Sequence, residues 1–114
     1  MGGMAASGAY YMSMGARYVM AQPMTLTGSI GIFGALPDLS GLLTQKLGIK
    51  YDEVKTNKNS AYGSAGMMRP WNAEELNSLQ AYVNRGYELF RKRVADGRKM
   101  TIEDVEKVLR AMYG

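Results

Sequence analysis

The sequence contains neither cysteine nor histidine among its 114 residues. Without cysteine, a disulfide framework and a thiolate metal site are both excluded. Without histidine, the chain lacks the commonest general base and the commonest metal ligand. Any acid–base chemistry must therefore use lysine, tyrosine or a carboxylate, and we expect neither a cofactor nor a metal.

Long apolar runs are also missing from the sequence. No apolar stretch reaches the roughly 18 residues that a membrane-spanning helix requires, and no basic segment followed by an apolar one marks a secretion signal. The formal net charge is only +4, and the basic cluster Arg91–Arg93 is typical of a solvated helix face. We therefore predict a soluble chain that does not bind nucleic acid.

Helical and strand patterns alternate along the chain, which indicates an α/β fold. The length fits a single domain over residues 1–114. Hydrophobic spacing, capping residues and glycines predict two helices at the C-terminal end, starting after Asn72 and Thr101 and ending at Gly97 and Met112. Before them we predict helices over 5–17 and 38–47, strands over 18–23, 25–34 and 49–56, and a loop over 57–70.

The predicted order of elements lacks a strand before the first helix. A nucleophile on a strand-to-helix turn requires such a strand. We therefore expect the chain to be cut at its front edge, so that the domain is incomplete.

Ser7 is surrounded by residues with very small side chains, namely Ala5, Ala6, Gly8 and Ala9. A serine at a helix N-terminus lies near unpaired backbone N–H groups, which would stabilise an anion that develops there. Gly8 can present its N–H without a Cβ in the way. Two interpretations stay open: Ser7 is a nucleophile, or it is an N-cap serine in a tightly packed contact between a helix and a sheet.

A second serine, Ser29, lies between glycines in the stretch "TGSIG". Glycine density of this kind in a strand indicates a bend or a close approach of the backbone. Ser29 is then either a turn serine or a residue that holds another polar group in place.

Several ordered stretches together resemble the SppA family of signal peptide peptidases, also called protease IV. The resemblance covers nearly the whole chain. The stretches that carry it are "MGGMAASGAYY", "AQP", "TLTGSIGIFG", "LGIKYDEVKTNKNSAYGS", "RPWNAEE", "GYELF" and "VADGRKMTIEDVEKV". They match the C-terminal catalytic segment of that family.

The resemblance implies a partial Clp protease/crotonase-like fold and a Ser–Lys mechanism, a known variant of the serine nucleophile scheme. It assigns Ser7 as the nucleophile, the Gly8 N–H as half of the oxyanion hole, and Ser29 as the serine that orients the lysine base. The family usually has a second glycine where this chain has Ala9. The methyl group of Ala9 either crowds the substrate groove or is tolerated there.

The lysine base has two candidates by resemblance. Short members of the family carry it in a loop like residues 57–66, which points to Lys58. Long members carry it in an N-terminal half that this sequence does not contain, and the second oxyanion donor also precedes Met1. Lys58 is otherwise a solvated loop lysine, and Lys55, at the end of a predicted strand, fits the role less well. We expect the 114 residues alone to be nearly inactive.

The resemblance also implies the substrate and the setting. Substrates would be cleaved signal peptides or other extended apolar peptides, and the protein would be a homo-oligomer. Full-length relatives are attached to the bacterial cytoplasmic membrane through parts absent here. Two alternatives stay open: a crotonase-like enzyme acting on acyl-CoA thioesters, and a non-catalytic oligomerisation segment that packs through aromatic residues (Trp71, Tyr82, Tyr87, Phe90).

Overall fold

A computed structural model describes residues 1–58, 60 and 62–113 of the chain. The chain divides into two compact units, residues 1–33 with 83–114 and residues 34–82, and each is described by itself. The prediction of a single domain over residues 1–114 stays a prediction.

The first unit starts with strand β1 (Met4–Ala6), which is followed by helix α1 (Gly8–Ser13) and strand β2 (Leu26–Gly28). The two strands pair in parallel, with Ala6 opposite Gly28. The predicted helix over 5–17 is therefore wrong at its start, because residues 4–6 pair with β2 as a strand. The strand that we expected to be missing is present within the chain.

The segment between α1 and β2 is not a strand, so the prediction for residues 18–23 is wrong. A turn forms instead, in which the Gln22 N–H donates to the Thr25 Oγ1 at 2.9 Å. Tyr18 and Met20 are exposed. A strand needs a neighbour for its backbone groups, and this segment pairs with no strand among the described residues. The predicted strand over 25–34 is correct only for its three residues in β2.

Helices α2 (Ala73–Arg98) and α3 (Ile102–Tyr113) confirm the two predicted C-terminal helices. Within the first unit they supply most of an apolar core, which also includes the residue that follows α1 and one from the segment after β2 (Met14, Ile30, Phe90, Val94, Ala95, Val105, Leu109). The predicted end of the first of these helices, Gly97, lies one residue before the observed end at Arg98. The role of Gly97 is a close approach, because a Cβ there would lie 2.2 Å from the Met14 carbonyl oxygen.

The second unit contains a π-helix over Gly41–Lys46 where we predicted a helix over 38–47. The Thr44 hydroxyl donates to the Ser40 carbonyl at 2.7 Å, and side-chain bonds of this kind compete with the regular helix ladder. The Asp38 carboxylate accepts from the Ser40 N–H, as expected of a cap, and Gly48 ends the helix at φ +66°.

Residues 49–56 form no strand, which makes that prediction wrong. Turns dominate the described part of residues 57–70, as predicted; Asn59 and Ala61 lie outside the described residues. Across the described part of the chain, no helix is both long enough and apolar enough to cross a bilayer.

Candidate functional site

Ser7 occupies a sharp turn between the end of β1 and the start of α1. Its backbone has φ 49° and ψ −113°, a region that non-glycine residues rarely adopt and that costs about 1–3 kcal/mol. The turn is fixed on both sides: the Ser7 N–H donates to the Gly28 carbonyl at 3.0 Å, and the Ser7 carbonyl accepts from the Tyr11 N–H at 2.8 Å. Strain held in place by its surroundings is characteristic of functional positions.

The side chain of Ser7 is exposed and does not cap α1 through a hydrogen bond. Ser7 thus stands at the N-cap position of α1, as the alternative interpretation expected, but its hydroxyl makes no capping hydrogen bond and is not in a tightly packed contact. The small neighbours that the sequence showed leave the turn open, since a Cβ placed on Gly8 would meet no atom within 4 Å. A substrate carbonyl could thus approach both the Ser7 hydroxyl and the Gly8 N–H.

Ser29 follows β2 as Ser7 follows β1. Because Ala6 and Gly28 are partners in the parallel register, the two serines leave the same edge of the two-stranded sheet side by side. Ser29 also has a positive φ, 57°, and is exposed. The carboxyl ends of parallel strands are where ligands commonly bind in α/β folds.

An apolar cavity of about 260 Å³ opens beside Ser7. Ser7 and Gly8 are among its lining residues. The remaining lining residues come from α1, the segment after β2, and α2 (Tyr11, Gly31, Ile32, Gly86, Leu89, Phe90). Ala9 is exposed and does not line this cavity, so its methyl group does not narrow this space. The cavity is suited to an apolar side chain held next to the serine.

Lys58 belongs to the second unit, where it lies on the surface. Its Nζ is 2.6 Å from the Glu74 Oε1, and 75% of its side chain is exposed. Lys55 lies nearby in sequence and pairs with Glu53 at 2.5 Å. The structure thus brings Ser7, Gly8 and Ser29 together in the first unit, and it describes Lys58 as a member of a surface ion pair in the second.

A polar network in the second unit surrounds the start of α2. Glu75 and Asn72 form the predicted capping box: the Glu75 N–H donates to the Asn72 Oδ1 at 2.9 Å, and the Asn72 N–H donates to the Glu75 Oε2 at 3.0 Å. The Glu75 side chain has no exposed surface. Sequence reasoning predicted this cap correctly.

Sequence reasoning missed Arg69, which clamps this network. Its two terminal nitrogens donate to the two carboxylate oxygens of Glu75 at 2.9 and 2.6 Å, and its Nε lies 3.7 Å from Glu53. Hydrogen bonds from Arg69 and from the Asn72 backbone lower the pKa of Glu75 to about 2. Hydrogen bonds from Lys55 and Ser64 likewise lower the pKa of Glu53. The spacing of Arg69 six residues before the capping glutamate is the signal that could have indicated the pair.

Comparison with known proteins places this arrangement in a family. The model of peptidase family S49 matches residues 1–112. The chain is 41% identical over 108 residues to Protease 4 of Salmonella typhi and 35% identical over 108 residues to the chloroplastic serine protease SPPA of Arabidopsis thaliana. It is also 37% identical over 107 residues to a putative signal peptide peptidase SppA of Enterococcus faecium.

These matches cover most of this chain but little of the relatives. The match to the Salmonella protein covers 95% of this chain and 17% of the relative, and the match to the Arabidopsis protein covers 95% and 16%. The match to the Enterococcus protein covers 91% of this chain and 29% of the relative. The chain therefore corresponds to one segment of those proteins. Since the family model spans nearly all of the sequence, the chain belongs to peptidase family S49.

Proposed function

We propose that this chain supplies the nucleophile of a serine peptidase, with Ser7 as the attacking residue. The single observation that carries the proposal is the strained, exposed turn at Ser7 between β1 and α1. Serine nucleophiles on α/β scaffolds occupy such strand-to-helix turns, because the turn exposes Oγ above the end of the sheet. The names of the relatives, Protease 4 and serine protease SPPA, support the same class of activity.

The proposed reaction follows from the groups at the turn. The Ser7 Oγ attacks the carbonyl carbon of a peptide bond and gives its proton to a base, while the carbonyl oxygen becomes an oxyanion. The Gly8 N–H donates a hydrogen bond to that oxyanion. The C–N bond then breaks, the amine leaves with the proton, and the acyl group stays on Ser7 until water hydrolyses the ester.

The proposed base is a neutral lysine amine that the Ser29 hydroxyl orients, as in a Ser–Lys dyad. A lysine must be desolvated to be neutral near physiological pH. Lys58 is exposed and paired with a carboxylate, which is the environment of a surface cation. We therefore propose that a residue other than Lys58 is the base, and that the 114 residues alone turn over substrate very slowly.

The proposed substrates are extended apolar peptides, with cleaved signal peptides as the leading class. The apolar cavity beside Ser7 supports this choice, and so does the name of the Enterococcus relative. The wider proposal includes a Clp protease/crotonase-like fold, assembly into homo-oligomers, and attachment of the full-length protein to the bacterial cytoplasmic membrane. The parallel strand pair and its α1 connection agree with such a fold.

The test is covalent labelling with an alkyl fluorophosphonate, read out by peptide mass spectrometry. Phosphonylation does not require a complete catalytic cycle, and the exposed turn and the Gly8 N–H act on it without the base, so Ser7 is labelled faster than the other serines even where turnover is very slow. We expect the adduct on Ser7, its loss in Ser7→Ala, and its retention in Ser13→Ala. Ser13 is a suitable control because it lies on α1 and its hydroxyl donates to the Tyr10 carbonyl at 2.7 Å.

Labelling spread equally over several serines, or absent from Ser7 in folded protein, would overturn the proposal. Hydrolysis of an acyl-CoA thioester that persists in Ser7→Ala would instead favour the crotonase-like alternative. Folding of each variant is checked by circular dichroism.

A further inference from the structure

Gly86 stands in the interior of the long helix α2, where a glycine is unfavourable. In a helix interior, glycine costs about 1 kcal/mol relative to alanine. A Cβ at this position would lie 2.7 Å from the Cδ1 of Ile32, well inside van der Waals contact. The missing side chain therefore makes room for Ile32.

Gly86 and Ile32 both line the apolar cavity beside Ser7. Leu89 and Phe90 lie three and four residues after Gly86, so the three residues share one face of the helix, and all three line the cavity. The side chain of Ile32 thus meets the helix at a position on this face that has no side chain. Any group added there would enter the cavity or push Ile32.

We infer that the contact between Gly86 and Ile32 sets the size of the substrate side chain that binds beside Ser7. This inference rests on the proposed function, since the side chain in question belongs to the residue whose carbonyl Ser7 attacks. Ser7 and Gly8 line the cavity, so that residue's own side chain is the nearest group that can fill it. Gly86 is then a specificity-determining residue far from Ser7 in sequence.

The physical consequence of a methyl group at Gly86 is a selective loss of affinity for substrates with large side chains. In Gly86→Ala, the new methyl group and the displaced Ile32 both reduce the volume of the cavity. A probe with an aromatic side chain therefore loses more affinity than a probe with a methyl side chain does. Removing the colliding atom with Ile32→Val has the opposite effect. The double variant Gly86→Ala/Ile32→Val should return towards the starting selectivity, because it removes the atom that the new Cβ would meet.

The first measurement is reversible binding, which does not depend on a reactive serine. Methyl resonances of Ile32 and Leu89 are followed by NMR during titration with N-acetyl-alaninamide, N-acetyl-leucinamide and N-acetyl-phenylalaninamide. Because one methylene in an apolar pocket changes discrimination by about 10-fold or more, we expect Gly86→Ala to lower the ratio of phenylalanine to alanine affinity by about 10-fold. Gly15→Ala is the matched control, since a Cβ there meets no atom within 4 Å.

An unchanged affinity ratio in Gly86→Ala, or probes that shift neither methyl group in the starting protein, would overturn the inference. Should Gly86→Ala unfold, Ile32→Val alone still tests it, because that variant must favour the larger probe. Peptidyl phosphonates with the same three side chains then separate the two proposals. Reversible binding without any Ser7 adduct contradicts the proposed function alone, whereas Ser7 adducts with unchanged side-chain preference contradict this inference alone.

Discussion

Each of the two compact units has its own kind of internal interaction. Every residue of the apolar core cluster belongs to the first unit. Among the residues that the structure describes, the buried polar ones (Ser40, Ser64, Glu75) all belong to the second unit, where Ala65 is the buried residue with an apolar side chain. The first unit thus contains the packed apolar core, beside a part-buried ion pair between Arg91 and Glu106. In the second unit, Glu75 is held by hydrogen bonds and an ion pair with Arg69.

This difference predicts different responses to mutation and to acid. Hydrocarbon packing loses stability when volume is removed or added, and it has no charge for protons to neutralise. A network of carboxylates and a guanidinium tolerates changes in volume better but depends on the charge of each member. We therefore expect changes of side-chain volume to have their largest effects in the first unit, and loss of the Glu75 charge to destabilise the second unit.

The largest effect is expected for Phe90→Ala in the first unit. Phe90 is buried in the core and its ring meets that of Tyr11 edge to face, with centroids 5.1 Å apart. Deletion of a buried aromatic side chain costs about 3–5 kcal/mol, which urea unfolding would measure. Tyr82→Ala, at an exposed position of α2, is the control and should change the free energy of unfolding by less than about 0.5 kcal/mol. Equal losses in both variants would contradict the assignment of the core.

A smaller effect in the same unit is expected for Gly97→Ala. The added Cβ would lie 2.2 Å from the Met14 carbonyl oxygen, which is backbone and cannot rotate away. Overpacking of this kind costs about 1–3 kcal/mol, more than the gain of about 1 kcal/mol that alanine brings to a helix. Thermal unfolding should show a lower Tm than for Gly15→Ala, and a higher Tm would show that the two segments can separate without cost.

Acid should affect the second unit through Glu75. The pKa of this carboxyl is lowered from 4.5 to about 2, so its contribution to stability is fully present above pH 4.5. That contribution is lost as the pH falls through about 2. Trp71, the single tryptophan, lies in this unit with its ring 6.4 Å from that of Tyr62, and its fluorescence reports the change.

The expected signal is a fluorescence transition between about pH 4.5 and 2 that is weakened in Glu75→Gln. That variant already lacks the charged pair at neutral pH. Glu103→Gln, at an exposed site on α3 in the first unit, should leave the transition in place. A transition of the same size in all three proteins would mean that the Arg69 network does not hold this unit together.

The smallest effect is expected for Lys58→Gln. Exposed ion pairs contribute about 0–1 kcal/mol, so unfolding should change little. The proposed function adds that ester hydrolysis by the 114-residue chain should be the same in Lys58→Gln, in Ser7→Ala and in the unsubstituted protein, since loss of one member of a catalytic set removes most of the rate. A clear drop in both variants would instead identify Lys58 as the base.

Local hydrogen bonds were predictable from the sequence, whereas strand pairing was not. The caps at Asn72 and Thr101 join groups three residues apart, so the sequence alone contains both partners. The strand prediction for 18–23 rested on a short apolar run closed by Pro23, and the prediction for 49–56 rested on alternation of apolar and polar residues. Neither pattern shows whether the required neighbouring strand is present. Strand β1 was missed because it has only three residues and is defined by its register with β2.

The identity of the candidate site residues was likewise predictable from the sequence, whereas their arrangement in space was not. Ser7, Gly8 and Ser29 could be proposed from the family resemblance and from the small residues around Ser7. Their common position at one sheet edge depends on the pairing of Ala6 with Gly28, which joins segments 22 residues apart. The contact of Gly86 with Ile32 spans a longer interval still, and a lone helical glycine does not say which residue it accommodates.

The positive φ of Ser7 means that the hydroxyl at this position is kept at a cost in folding stability. A glycine at position 7 would relax the backbone, so Ser7→Gly should melt at a higher temperature while losing every Ser7 adduct. Threonine also carries a hydroxyl, but its branched Cβ fits this backbone poorly. Serine is thus a compromise at this turn: the proposed reaction requires a hydroxyl group, whereas the backbone conformation favours glycine.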